Sequence, residues 1–267
     1  EKMLAIVAST KIDGNRDSAI KDMAIKILNE KYDIKEIDFA RSELSFVPAW
    51  RAKYVGIDKS MVGGYGQDDR VCSYATIKAI SEIDSAEKTA VAMIVDKEEI
   101  GSIGNTSMNS QIFDMFVNRL IKKTGTKADI LEVYYNSKML SADVSTCVDP
   151  NYDEVSDIQN GNILGCGIAL EKYTGSGGKY NSSDANAEFV SQIMSLFEKN
   201  NVDFQIGTLG KIGKGGGGTI AYILANKGVD VIDCGTPVLA MHSPFEVASI
   251  YDIYATYLAY KTMFRGK

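Results

Sequence analysis

The chain has 267 residues, 45% of them apolar and 24% charged, ordinary values for a globular protein long enough to bury a substantial core. Its net charge of −6 and pI near 5.0 argue against nucleic acid or an anionic membrane as a partner. No apolar stretch reaches the ~18 residues needed to cross a bilayer, the start does not read as a secretory signal, and Cys72, Cys147, Cys166 and Cys234 form no Cys-x-x-Cys pair, so reduced thiols in a cytoplasmic protein are expected.

Met3 to Ser9 reads as a strand, Asp17 to Glu30 as a helix and Leu44 to Val47 as a strand, before Pro48-Ala49-Trp50-Arg51-Ala52 breaks the pattern. The texture changes near residue 56. Ser73 to Ile83 looks helical. Lys88 to Val95 is an apolar run with little alternation, the pattern of a strand covered on both faces. Asn105 to Lys122 is an amphipathic helix, Lys138 to Val144 a strand and Gly165 to Leu170 a short buried strand. A helix starts at Ser183-Asp184, with Ser183 as its cap, and ends near Asn200. Val202 to Gln205 is a strand, Gly207 to Thr219 a glycine-rich loop, Ile220 to Asn226 a helix, Val229 to Asp233 a strand and Pro244 to Phe264 a long closing helix. Strands alternating with helices predict an α/β protein, a three-layer α/β/α sandwich around a mixed or parallel sheet.

The chemistry concentrates at strand ends. The apolar run up to Val95 stops at Asp96-Lys97-Glu98-Glu99, and buried carboxylates are costly unless a cation neutralises them. Neighbouring residues of an extended segment point in different directions, so one of the two glutamates can bind a metal while the other holds a water. Asp68-Asp69 reads either as acids on the positive end of a helix or as a metal-bridging carboxylate. Asp143 lies inside an apolar strand, as a turn acid or a ligand. His242, the single histidine, follows a strand and is either a hydrogen-bonded core residue or a ligand. Such oxygen and imidazole donors suit zinc, manganese or cobalt. No Gly-x-x-x-x-Gly-Lys-Ser/Thr spacing passes through Lys211 or Lys214, so the glycine run reads as a mobile loop or one that lets a peptide backbone approach, not as a phosphate cradle.

Four segments in order, Gly66-Gln67-Asp68-Asp69-Arg70-Val71-Cys72, Asp96-Lys97-Glu98-Glu99-Ile100-Gly101-Ser102, Ser141-Ala142-Asp143 with Asp149-Pro150-Asn151-Tyr152, and Leu239-Ala240-Met241-His242-Ser243, resemble the aspartyl aminopeptidase family of dinuclear zinc exopeptidases. The resemblance runs from about residue 40 to the end. It implies that 1–55 is the tail of an inserted dimerisation domain and that 56–267 is the C-terminal part of the catalytic domain. It implies two divalent metal ions, zinc with cobalt or manganese as substitutes. Asp68 would bridge them, Glu99 and His242 would complete one, Asp143 would bind the other, and Glu98 would be the general base. Lys179, Gly218 and Thr219 would border the substrate. The family's further zinc-binding histidine lies in a His-x-Asp motif that this sequence lacks, and the loop Ser145-Thr146-Cys147-Val148-Asp149-Pro150 holds no histidine where relatives usually carry them. The expected activity is removal of an N-terminal residue, with an acidic one as the family's suggestion, by a homo-oligomer, a dodecamer built from dimers. A non-catalytic assembly or regulatory module that keeps the fold but lacks a metal ligand is the alternative, and a dinuclear deacylase is a third.

Overall fold

The computed structural model describes residues 5–12, 18–211 and 213–266. It divides into two compact units, Glu1–Ala49 and Trp50–Lys267. The first contains α1 (Ala19–Tyr32) and α2 (Glu36–Arg41). The strand expected over Met3 to Ser9 is not found: residues 5–9 form none, and Met3 and Leu4 lie outside the described residues. Leu44 to Val47 also joins no sheet. Strand propensity is realised only against a pairing partner, and among the described residues neither segment has one.

The second unit opens with a hairpin, β1 (Lys53–Val55) and β2 (Met61–Gly64), that the sequence did not announce. It continues through α3 (Gln67–Ser81), α4 (Ile112–Thr124), α5 (Ile130–Tyr135), β3 (Lys138–Ser141), β4 (Ser145–Thr146) and β5 (Ile168–Glu171). A second hairpin follows, β6 (Tyr173–Ser176) and β7 (Tyr180–Asp184), then α6 (Ala187–Lys199), β8 (Phe204–Ile206), α7 (Ala221–Ala225), β9 (Asp230–Gly235), β10 (Pro237–Leu239), β11 (Glu246–Ser249) and α8 (Ile250–Arg265). Ser183 belongs to β7, and Asn186 caps α6 by accepting from the Phe189 amide at 2.7 Å. The expected closing helix is split, because Glu246 to Ser249 pairs with β2 and the Ser249 side chain then caps α8.

One sheet has the order β3-β9-β5-β8, with β3 parallel to β9 and β5 antiparallel to it. The other has the order β1-β2-β11-β10-β4. Alternation along β9 explains the layering. Ile232 and Cys234 face a core cluster with α3, α6 and α8, while Val231 faces a second cluster with α4, α5 and α7. The sheet is therefore covered on both sides, which is the three-layer α/β/α arrangement the sequence predicted.

Helices α3 and α8 pack closely because Ala75, Ala79, Ala255 and Ala259 are all buried and put no bulk between the backbones. The Tyr260 hydroxyl donates to the Cys234 carbonyl at 2.6 Å, tying α8 to the end of β9. From α6, Phe189, Ile193 and Phe197 fill the first cluster. Burying each such side chain contributes about 1.5–3 kcal/mol. Truncating Phe197, which is fully buried, leaves a cavity that its neighbours fill only in part. Phe197→Ala is expected to cost about 3–5 kcal/mol in a denaturant titration; a loss below about 1 kcal/mol would contradict this packing.

Candidate metal centre

Strands β2 and β11 run antiparallel, with Gly64 opposite Glu246. β2 ends four residues before Asp68, and β11 begins four residues after His242. The pairing thus delivers both loops to one end of the sheet. The third segment is a single turn over Glu98–Ile100, closed by the Gly101 amide donating to the Glu98 carbonyl and the Ser102 amide to the Lys97 carbonyl, both at 2.8 Å.

Three side chains converge there. His242 Nε2 lies 3.1 Å from Asp68 Oδ2 and 3.3 Å from Glu99 Oε2. One donor atom from each of the three falls within 4.8 Å of the others. The Asp68 side chain is 8% exposed, whereas His242 is 64% exposed, so the constellation is anchored from below and open above.

Asp143 and Glu98 join this group electrostatically. Burial and then the charges of Asp69, Asp68 and Glu98 push the Asp143 carboxyl well above the usual carboxylate range. Burial, then Glu99, raises Glu98. Burial, followed by Glu99, pushes Asp68 up to about 7. Among the described residues no lysine or arginine pairs with any of these acids. Gly235 fixes where Asp143 sits: a Cβ there would fall 1.6 Å from the Asp143 carbonyl oxygen. Asp69, also raised by burial, has a buried Oδ1 with no hydrogen-bond partner. Crowded carboxylates with one imidazole, and no protein cation to offset them, fit a divalent metal of the zinc, manganese or cobalt type.

Lys179, Gly218 and Thr219 form a second group. Lys179 lies in the turn of the β6–β7 hairpin, and Gly218 packs so tightly on it that a Cβ would meet Asn181 Cβ at 2.6 Å. Thr219 is buried and its hydroxyl accepts from the Ala221 amide at 3.2 Å. Asp233 links the two groups. Its Oδ2 accepts from Thr174 of β6 at 2.7 Å, the Ser141 and Thr219 hydroxyls face it, and its charge reaches Glu98 and Asp143.

Lys88 to Val95, expected as a buried strand, joins no sheet. It lines a cavity of about 1130 Å³ together with Met139 and Leu140 of β3, which is an edge strand of its sheet among the described residues. Val91 and Ile94 are exposed there although the run is apolar, and the cavity reaches Asp68, Glu98, Glu99 and Asp143. The run has the composition of a covered strand, and among the described residues no strand pairs with it.

The sequence reading missed Glu246. It is 2% exposed and sits in β11, inside what reads as a helix. Its Oε2 accepts from the Asp68 amide at 3.1 Å and its Oε1 from the His242 amide at 2.8 Å. No local pattern marks it, because its partners are brought together by long-range strand pairing.

A sequence model of the aminopeptidase I zinc metalloprotease (M18) family matches residues 2–264, a longer match than the resemblance from residue 40. The chain is 48% identical over 246 residues to a Clostridium acetobutylicum protein named "Probable M18 family aminopeptidase 1", covering 91% of this chain and 53% of that protein. The crystal structure of an M18 aminopeptidase from Thermotoga maritima superposes with a TM-score of 0.92 at 42% identity, covering 97% of this chain and 58% of that one. The S. cerevisiae mApe1 dodecamer shares the fold, with a TM-score of 0.68 at 23% identity over 82% of this chain and 49% of that one. The chain therefore spans about half the length of these relatives.

Metal uptake should depend on pH with a defined sign. The raised carboxyls favour the metal-free fold while protonated, and that contribution is lost as pH rises through about 7, where Asp68 ionises beside Glu99. A divalent ion restores it by replacing the protons. Zinc is expected to raise the melting temperature little at pH 5 and progressively more toward pH 8, with proton release on binding. A zinc-induced shift that is flat across this range would contradict the cluster.

Proposed function

Because the chain belongs to the aminopeptidase I zinc metalloprotease (M18) family, we propose that the protein is a metal-dependent aminopeptidase that removes the N-terminal residue from peptides. The observation that carries this reading is the convergence of Asp68, Glu99 and His242, from three distant stretches of chain, within 4.8 Å. Asp68 would be shared between two zinc ions, Glu99 and His242 would hold one and Asp143 the other. Zinc, when bound, supplies the Lewis acidity that makes water a nucleophile near neutral pH.

The protein's own residues do the rest. Glu98 neighbours the ligand Glu99, and its carboxyl is raised by burial toward the range useful for proton transfer. It takes the proton from the attacking water and passes it to the leaving amine. The hairpin turn with Lys179 and the tight loop at Gly218 and Thr219 would hold the peptide. The Lys179 charge favours an acidic first residue, which a panel of aminoacyl substrates checks.

The three donors leave room for a further ligand. The cavity beside β3, about 1130 Å³, is lined by the apolar run Lys88 to Val95 and reaches the acid cluster. The relatives are longer than the part matched here, and a further ligand would come from such additional chain. On the same basis we read residues 1–55 as the tail of an inserted dimerisation domain, 56–267 as catalytic, and the protein as a homo-oligomer like the dodecameric yeast relative. Its four free cysteines suit a reducing compartment, and we place the activity in the cytoplasm. No helix among the described residues is long and apolar enough to cross a membrane.

One observation favours the non-catalytic alternative: among the described residues three donors meet closely. Metal analysis separates the two readings, since near two zinc per complete protomer favours the enzyme. Glu98→Gln should reduce turnover by about 10²–10⁴-fold, the usual share of general acid–base catalysis, while metal content stays at the native level. Substantial residual turnover would remove Glu98 from the mechanism.

A further inference from the structure

We infer that Glu246 is a positioning residue for the metal centre: its buried carboxylate clamps the backbones of Asp68 and His242 in one geometry and thereby sets metal affinity without binding the metal. This rests on the metal-centre reading above. Both carboxylate oxygens are already engaged by main-chain amides, Oε2 by Asp68 at 3.1 Å and Oε1 by His242 at 2.8 Å. The side chain is 2% exposed and aimed at these two amides, and it is not among the three side chains whose donor atoms converge, Asp68, Glu99 and His242.

What the clamp resists is visible in the backbone. His242 has φ 64 and Ala240 φ 58, left-handed conformations that β-branched and bulky residues rarely adopt. Asp68 has φ −82 and ψ 109, non-helical values inside the start of α3. These two irregular segments are 174 residues apart in sequence, and one carboxylate holds both, a charge-assisted pair of hydrogen bonds. Glu246 itself is fixed by the ladder between β11 and β2. Losing a partner that orients ligands in this way typically costs about 10–100-fold in metal affinity.

The test uses the full native chain and zinc alone, titrated against a chromogenic chelator. Glu246→Gln turns one acceptor into a donor facing an amide, and Glu246→Asp keeps the charge but shortens its reach. Both are expected to weaken zinc binding, the Gln variant by about 10–100-fold, and to shift the visible spectrum of the cobalt(II)-loaded protein. The melting temperature of the metal-free chain is expected to stay close to native in at least one of them. If Glu246→Asp binds zinc as tightly as the native chain, charge and not reach is responsible and the inference fails. It also fails if affinity falls only in step with metal-free stability, which marks a merely structural residue. Native protein that binds zinc but cleaves no peptide would overturn the proposed activity and leave the clamp standing. Native protein that binds no zinc would overturn both.

Discussion

Uncompensated negative charge governs this end of the molecule. Burial, and then the charges of their acidic neighbours, raise the proton affinity of Asp68, Asp69, Glu98 and Asp143, and among the described residues His242 is the one basic side chain that touches the cluster, through Asp68 and Glu99. Carboxylates brought this close need protons or a cation, since a buried unpaired charge costs several kcal/mol. The surrounding fold is arranged to hold them together against that repulsion. The β2–β11 pairing, the Glu98–Ile100 turn and the close approach of Gly235 to Asp143 each fix one member.

The layering beneath the cluster follows from the same need. A covered sheet with helices on both faces gives rigid strands whose ends can carry polar residues at one edge. β9 illustrates the division of labour. Ile232 and Cys234 face one helical layer, Val231 the other, and Asp233 stands between the acid cluster and the loop that ends at Thr219. The α3–α8 pair, packed through alanines, sets where α3 begins and therefore where Asp68 sits.

Much of this was legible in the sequence. The apolar run to Asp233 became β9, and the segments marked by their acids and histidine, Asp68-Asp69, Glu98-Glu99 and His242, do converge, with Asp68, Glu99 and His242, the choice that the family resemblance implied, closest together. What failed has a common physical cause. β11 was hidden inside an apparent helix because its strand character comes from pairing with β2 and not from its own residues. The β6–β7 hairpin was hidden in the same way, so Ser183 was mistaken for a cap that Asn186 supplies. Lys88 to Val95 shows the converse: a sequence with strand character stays unpaired where no neighbour completes its sheet. Glu246 was invisible because its role exists only once two distant backbones have been brought to it.

The most direct test of the central claim is anomalous diffraction at the zinc edge from crystals of the zinc-loaded native protein. The account predicts a zinc peak about 2.0–2.2 Å from Asp68, Glu99 and His242, the usual distances for oxygen and imidazole ligands. Zinc held elsewhere, or lysine or arginine side chains neutralising these acids in its place, would contradict it.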